Sequence, residues 1–302
     1  MRALLTGASG FLGRRLAARL ERDGFTVAGV CLDRLGLPES IPVHAVDVRD
    51  AAGLARVVAA ESPDVVVHLA ALAHVGESWG RMPEYFAINV LGTENVAAAA
   101  RGRRLLFVSS AEVYGAVPED EQPIDERRAL APRSPYALTK AAAERLALAA
   151  GAVVARCFNL VGAGQTRSFA LPSFAAQLAA IGAGRVPPVL KVGNLTARRD
   201  FVHVEDGVEA LALLVERGVA GEIYNVASGR ALSIAEALES LIRVSGLEVT
   251  LEEDPERLRP VDVPLLCGDS GRLRALGWCG RHGFDAAVEE LWGEAAAAAA
   301  AS

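Results

Sequence analysis

The stretch Ala3-Leu4-Leu5-Thr6-Gly7-Ala8-Ser9-Gly10-Phe11-Leu12-Gly13 decides the fold. An apolar run of strand character leads into a glycine turn, and the residues from Gly10 to Arg22 follow with helical spacing. Glycines at positions 7, 10 and 13 give the pattern G-x-x-G-x-x-G. Glycine lets a backbone turn sharply and approach a pyrophosphate closely. The next helix then offers unpaired N–H groups and the positive end of its dipole. Glycine turns are common in loops of every kind. A strand before this one and a helix after it make it a dinucleotide-binding loop.

Working outward, the same alternation continues. Thr26 to Leu32, Val43 to Val48, Asp64 to Ala71, Leu105 to Ser109 and Val153 to Cys157 read as strands. Ala51 to Ala60, Pro83 to Arg101 and Pro135 to Ala150 read as helices between them. This order predicts an α/β fold, a Rossmann-type doubly wound parallel sheet with helices on both faces. Beyond residue 160 the rhythm breaks. Glu222 to Ala227 reads as a returning strand, Ser233-Ile234-Ala235-Glu236 as a capping box, Val249 to Leu251 as a short strand and Phe284 to Trp292 as a last helix. The expected division is a dinucleotide domain over 1–160, with returning segments near 200–230. A smaller, partly interleaved substrate-binding region takes 161–199 and 230–293. An alanine-rich tail, 294–302, reads either as a frayed end or as an artificial addition, and no function is assigned to it.

The 302 residues are 52% hydrophobic and 23% charged, with a net charge of −6, enough apolar material for a sizeable core. The acidic balance argues against nucleic-acid binding. Ser168 to Gly184 lacks charge but contains Pro172 and Gln177, and Leu146 to Thr166 is interrupted by Arg156 and Asn159, so neither reads as a membrane span. Met1-Arg2 leads directly into the first strand, which does not read as a signal peptide. Cys31, Cys157, Cys267 and Cys279 form no C-x-x-C pair. Reduced thiols in a cytoplasmic protein are expected, and no metal site.

Asp33 follows the second strand, 20 residues after Gly13. A carboxylate there can accept both ribose hydroxyls, which favours NAD; Arg34 beside it is suited to the 2′-phosphate of NADP. Asp47 after the third strand reads either as an adenine contact or as the N-cap of the helix from Ala51.

Ser134-Pro135-Tyr136-Ala137-Leu138-Thr139-Lys140 carries the expected chemistry. Ser134 suits a helix N-cap and Pro135 its first turn. Tyr136 and Lys140 then share a face, four residues apart. A lysine ammonium beside a phenol favours phenolate and eases proton exchange with a carbonyl or alcohol oxygen. Only Lys140 and Lys191 among 31 basic residues are lysines, and arginine cannot be tuned in the same way. Ser110, ending the fifth strand, lies at the carboxyl edge of the sheet as a second donor. His68, in an apolar strand, reads as a packed core histidine.

These residues together resemble the extended short-chain dehydrogenase/reductase family, whose members act on nucleotide sugars. The likeness runs over roughly residues 2 to 293. It takes in the glycine loop, Asp33, Val46-Asp47-Val48, His68-Leu69-Ala70-Ala71, Asn89-Val90-Leu91-Gly92-Thr93, Ser110, Tyr136 and Lys140. Phe158-Asn159, Arg199-Asp200-Phe201-Val202-His203-Val204 and Tyr224-Asn225-Val226 extend it. Three segments look like the GDP-4-keto-6-deoxy-D-mannose reductases: 74–79, 192–201 and 257–264.

The resemblance implies Tyr136 as proton donor, Lys140 as its modulator and ribose ligand, and Ser110 as second donor. It implies coenzyme contacts at Phe11, Leu12, Val48, Leu69, Ala70, Ala71, Ala73, Asn89 and Cys157. Substrate contacts are implied at Ser78, Glu112, Asn159, Val192, Arg199, Arg259 and Asp262, an arginine fork being well suited to a diphosphate. It also implies NAD or NADP as coenzyme, a nucleotide-sugar substrate with GDP favoured, and a homodimer through a four-helix bundle. Two rivals share the machinery: a 4-epimerase and a 4,6-dehydratase, both retaining NAD. Ala111 cannot protonate a leaving hydroxyl, which weakens dehydration, although Glu112 remains as a base. A cofactor-sensing regulator on the same fold is the third alternative.

Overall fold

The computed structural model describes residues 1–258 and 260–301. Strand β1 (Arg2–Thr6) feeds the glycine turn and helix α1 (Phe11–Arg22), which buries Leu16, Ala17 and Leu20 at helical spacing. Then come β2 (Thr26–Val30), β3 (Val43–His44), α2 (Ala51–Glu61) and β4 (Val65–His68). All four residues of β4 are buried. Each of its valines contributes about 1.5–3 kcal/mol by leaving water.

The expected single helix over Pro83 to Arg101 is three pieces. They are α3 (Met82–Tyr85), a π-helical turn over Phe86–Leu91, and α4 (Gly92–Ala99). The π turn leaves Asn89 buried, and the Thr93 hydroxyl donates to the Asn89 carbonyl at 2.6 Å. Gly92 packs on Val48, where an added Cβ would come within 2.7 Å of a methyl. The expected strand over Val43 to Val48 also shortens. The chain leaves the ladder after His44 and turns, with the Asp50 N–H on the Asp47 carbonyl.

β5 (Arg104–Ser110), α5 (Pro135–Ala149) and β6 (Val153–Cys157) follow as the alternation predicts. Ser134 accepts from the Ala137 N–H and Pro135 takes the first turn of α5. The second half supplies β7 (Asn159–Val161), α6 (Ala170–Gly182), β8 (Val189–Val192), β9 (Arg198–His203), α7 (Val204–Arg217) and β10 (Ile223–Val226). β11 (Ala231–Ser233), α8 (Ile234–Ser245), β12 (Thr250–Glu253), β13 (Leu265–Leu266), α9 (Gly271–Ala275) and α10 (Phe284–Ala300) complete it. The capping box of α8 is present in full.

Seven parallel strands form the main sheet, in the order β10-β6-β5-β4-β1-β2-β3. One face packs Leu16 and Leu20 of α1 with Leu211 and Leu214 of α7. The other packs Leu54 and Val58 of α2, Val96 of α4 and Ala147 of α5. A third cluster joins Leu178, Leu241 and Leu291 of α6, α8 and α10. Strand order reverses between β1 and β4, so the carboxyl ends of those strands open a crevice where such sheets take ligands. The alanine run does not fray: α10 continues to Ala300, Ala295 packs with the third cluster, and Arg185 Nη2 donates to the Ala299 carbonyl at 2.5 Å.

Candidate active site

The glycine turn is shaped for a close approach. Gly7 has φ +69°, and a Cβ there would stand 2.8 Å from the Ala70 nitrogen. A Cβ on Gly13 would stand 2.2 Å from the Gly7 carbonyl oxygen. Gly10, the N-cap of α1, has no side chain to cap the first turn, whose N–H groups remain available to a phosphate. Phe11 and Leu12 form that first turn; Leu69, Ala70 and Ala71, half-buried, face it across the crevice from the end of β4, and Ala73 is exposed beyond them. These residues fit a dinucleotide coenzyme.

At the end of β2, Asp33 is exposed, and its Oδ1 accepts from the Leu35 N–H at 3.2 Å. Arg34 turns back on its own loop, with Nη2 donating to the carbonyls of Pro38, Glu39 and Ile41. Asp47 accepts from the Arg49 N–H at 2.8 Å and from its guanidinium, which holds the carboxyl below the usual carboxylate range. The N-cap of α2 is Asp50, whose carboxylate accepts from the Gly53 N–H. Asp47 is therefore not the cap.

A buried polar chain ties β1 and β4 to the catalytic helix. His68 Nδ1 meets the Thr6 hydroxyl at 2.7 Å and Nε2 meets Thr93 Oγ1 at 2.9 Å. Since the Thr93 hydrogen goes to the Asn89 carbonyl, Nε2 carries the imidazole proton and Nδ1 accepts from Thr6. Burial and the nearby Lys140 charge push the His68 pKa down to about 3, so it stays neutral. Asn89 then brackets Leu72, accepting from its N–H and donating to its carbonyl, and donates to the Thr139 hydroxyl. That network sets α5 against the loop after β4. Asn89 acts on the crevice by holding the loop backbone.

Tyr136 and Lys140 are both buried on α5. Burial pushes the Tyr136 phenol well above its ordinary pKa; a hydrogen bond from Ser110 opposes this and the Glu112 charge adds to it. The Ser110 hydroxyl oxygen also accepts from the Glu112 N–H at 3.2 Å. Sequence spacing predicts lysine against the phenol. In the structure Lys140 Nζ instead donates to the Val108 carbonyl at 2.6 Å and sits over the Phe107 ring at 4.4 Å. The backbone carbonyl is the nearer acceptor for an ammonium out of water. Burial lowers its pKa to about 8, with Cys157 and Glu144 opposing. Cys157 ends β6 opposite Ser110, its buried thiol raised to about 12.

A cleft of about 560 Å³ lies between β9, α6 and the loop after β12. Asn159, Arg199 and Asp262, three of the substrate contacts the resemblance implies, line it. Arg199 is held by Asp262 at 2.7 Å and by the Val263 carbonyl. Asn194 takes the other oxygen of Asp262 at 2.8 Å. Ser78 and Val192 are not on that wall. The Ser78 hydroxyl donates to the Val75 carbonyl, and Val192 packs in the third cluster. Arg259 lies outside the described residues.

Sequence reasoning missed His74, Ser168, Phe169 and Arg257 on the cleft wall. His74 Nε2 bonds the Ser168 carbonyl at 2.8 Å, across the cleft, and its ring meets Phe169 edge-on. The hydroxyl of Tyr85 donates to the His74 carbonyl at 2.6 Å, and its ring stands edge-on to Tyr136 at 6.5 Å. So the cleft wall and the catalytic phenol share one packed neighbour. Segments 74–79 and 257–264 carried the sequence hints for His74 and Arg257, through the family likeness. Among the described residues, no three His, Cys, Asp or Glu side chains gather as a metal site.

Fold, glycine loop and the Ser110/Tyr136/Lys140 group define a Rossmann-type nucleotide-dependent enzyme. Comparison with known proteins narrows the class: the NAD dependent epimerase/dehydratase family model matches residues 3–227, and the chain belongs to that family. It is an NAD(P)-dependent oxidoreductase of this extended family. It is 36% identical to the GDP-6-deoxy-D-mannose reductase of Pseudomonas aeruginosa, over 92% of this chain and 91% of that one. The structure of RMD from Pseudomonas aeruginosa complexed with NADPH aligns with a TM-score of 0.87 at 33% identity, covering 98% and 99% of the two chains. The UDP-glucose 4-epimerase of Thermus thermophilus in complex with NAD gives 0.88 at 30%, with the same coverage.

Proposed function

We propose that the chain reduces the C4 ketone of a nucleotide-linked 4-keto-6-deoxy sugar, converting GDP-4-keto-6-deoxy-D-mannose to GDP-D-rhamnose. NAD(P)H, when bound, supplies the hydride. The observation that carries this reading is the Ser110/Tyr136/Lys140 group in a chain 36% identical, over 92% of its length, to a GDP-6-deoxy-D-mannose reductase. A protonated phenol is ready to donate to a ketone oxygen as it gains charge. A 4-epimerase would use the same phenol first as a base on an alcohol, so net oxidation of added NAD(P)H separates the two readings. Dehydration is disfavoured because Ala111, buried at the turn after β5, has no proton to give a leaving hydroxyl. The 36% identity to a GDP-6-deoxy-D-mannose reductase supports the GDP-sugar.

In this reading Ser110 and Tyr136 take the C4 oxygen. Lys140 brings positive charge behind the phenol, and Arg199, steadied by Asp262, offers its charge to the diphosphate. The test is purified protein with GDP-4-keto-6-deoxy-D-mannose and NADH or NADPH. The expected result is coenzyme oxidation matched one for one by GDP-deoxyhexose. No turnover with either coenzyme sinks the assignment, and tightly held NAD released on denaturation then favours the epimerase.

We also infer a cytoplasmic homodimer. Among the described residues no helix is long and apolar enough to cross a membrane, and all four cysteines are free. Met82, Phe86, Leu91 and Leu138 are exposed on the helical segments between β4 and β5 and on α5. Pairing those segments with their copies would cover this apolar face in a four-helix bundle. Sedimentation equilibrium at a dimer mass is the expected result; a monomer at micromolar concentration removes the inference.

A further inference from the structure

We propose that Arg14 is the residue that reads the coenzyme's 2′-phosphate and makes NADPH the preferred reductant. The inference rests on the coenzyme site described above. In this fold the residue ending β2 meets the adenosine ribose, and a carboxylate there favours NAD while a nearby arginine accommodates the extra phosphate of NADP. Asp33 taken alone selects NAD. The side chains around it reverse that balance.

Arg14 belongs to the first turn of α1, directly after Gly13. Its side chain runs toward the loop that follows β2. Cδ is 3.2 Å, and Nη1 3.8 Å, from the point where a Cβ would stand on Gly36. Gly36 has φ +70° and no side chain, which leaves this passage open. At its far end Arg14 Nη2 donates to the Gly164 carbonyl at 3.0 Å. The guanidinium is thus fixed by one nitrogen. Neither Nη1 nor Nε has a hydrogen-bond partner among the described residues, so both keep their donors.

The neighbouring charges are otherwise committed. Arg15 bonds Glu205 and the Ala163 carbonyl. Glu294 attracts Arg14 through space, but its carboxylate bonds the Gly164 N–H at 2.5 Å. Arg34 is anchored through Nη2 on three carbonyls and adds a second fixed cation to the loop. Asp33 has one oxygen turned onto Leu35. Arg14 and Arg34 therefore both stand at the loop that follows β2, which also carries the Asp33 carboxylate. An arginine fixed in place loses less freedom when it meets a phosphate, and its bonds to an anion are charge-assisted. Arg14 is distinct from Arg34 in its element: it reaches the loop from the helix that follows the pyrophosphate turn, so one helix would serve both phosphate sites.

The experiment measures coenzyme binding, without any sugar substrate, by titrating NADPH and NADH into the protein and following nicotinamide fluorescence. Wild type is expected to bind NADPH more tightly than NADH. Arg14→Gln should weaken NADPH by about tenfold or more and leave NADH within about twofold. Arg14→Lys should recover part of the NADPH affinity. An equal loss for both coenzymes means Arg14 acts only through Gly164 and overturns the proposal, as does unchanged NADPH affinity in Arg14→Gln or a wild-type preference for NADH. If wild type binds neither coenzyme, the coenzyme site itself is wrong. Because no sugar is used, failure of the GDP-sugar assignment leaves this result standing.

Discussion

A Tyr136→Phe enzyme is expected to lose about 10²–10⁴-fold in kcat for ketone reduction while binding NADPH as wild type does. The ring remains, so the edge-on packing on Tyr85 and the burial on α5 survive. What is removed is one oxygen, its proton and its hydrogen bond to Ser110. In the proposed reading the phenol is the donor placed at the ketone oxygen, while the Lys140 ammonium is held by the Val108 carbonyl. The Ser110 hydroxyl stabilises the developing alkoxide but has no base behind it. A residual rate above a tenth of wild type would show that the proton comes from elsewhere. The pH profile supplies a second check. Burial holds the Tyr136 phenol protonated through the neutral range and above it, so its own loss of a proton does not set the fall on the alkaline side. Lys140, lowered to about 8 by burial, is an ammonium below that pH and an amine above it. The ammonium favours negative charge on the phenol and the substrate oxygen. Reduction should therefore hold from neutral pH to about 8 and fall beyond it. A wild-type profile flat to pH 9.5 contradicts this role for Lys140.

The parts legible in the sequence are those set by neighbours in the chain. Val65-Val66-Val67 is a strand because a fully buried parallel strand needs no alternation, and β4 lies where that run stands. Ser134-Pro135 and Ser233 to Glu236 fix helix starts by local bonds, and both are present. Other features depend on residues far apart. The π turn at Phe86–Leu91 has no marker in its own residues; it is fixed by Asn89 bonding to Leu72 and Thr139. Asp47 and Asp50 are equally good caps by composition, and the turn after His44 decides for Asp50. The alanine run looks like a tail because it lacks large apolar residues. Alanine is nonetheless a strong helix former, and α6 provides a surface to lie on. Spacing puts Lys140 and Tyr136 on one face, but it cannot tell that the Val108 carbonyl is the nearer partner. Arg199 and Asp262 are 63 residues apart, and only the fold pairs them.

The second large effect concerns stability, at a residue the sequence did not single out. Glu144 lies four residues after Lys140 on α5 and is buried with Arg156 of β6. Arg156 Nη2 reaches Glu144 at 2.6 Å, and Nε bonds the same carboxylate. Glu144 also accepts from the Ser109 hydroxyl at 2.8 Å, next to Ser110. Arg156 Nη1 donates to the Tyr114 hydroxyl, which donates onward to Asn225 of β10. Burial opposes the Arg156 charge, yet Glu144 and Tyr114 outweigh it and raise its pKa above the ordinary value. Two charges out of water add little net stability as a pair, but removing one leaves the other uncompensated. Glu144→Ala is expected to destabilise the protein by about 3–5 kcal/mol in urea unfolding. The double variant Glu144→Leu/Arg156→Met, which removes both charges together, should recover most of that loss. Two outcomes separate the explanations. A Glu144→Ala loss below about 1 kcal/mol means that water reaches Arg156 and the pair is not truly desolvated. A double variant as unstable as the single one means that the bond to Ser109, rather than the charge on Arg156, holds α5 to the sheet. In that case the same bond also sets the position of Ser110, and the kcat of Glu144→Ala should fall along with its stability.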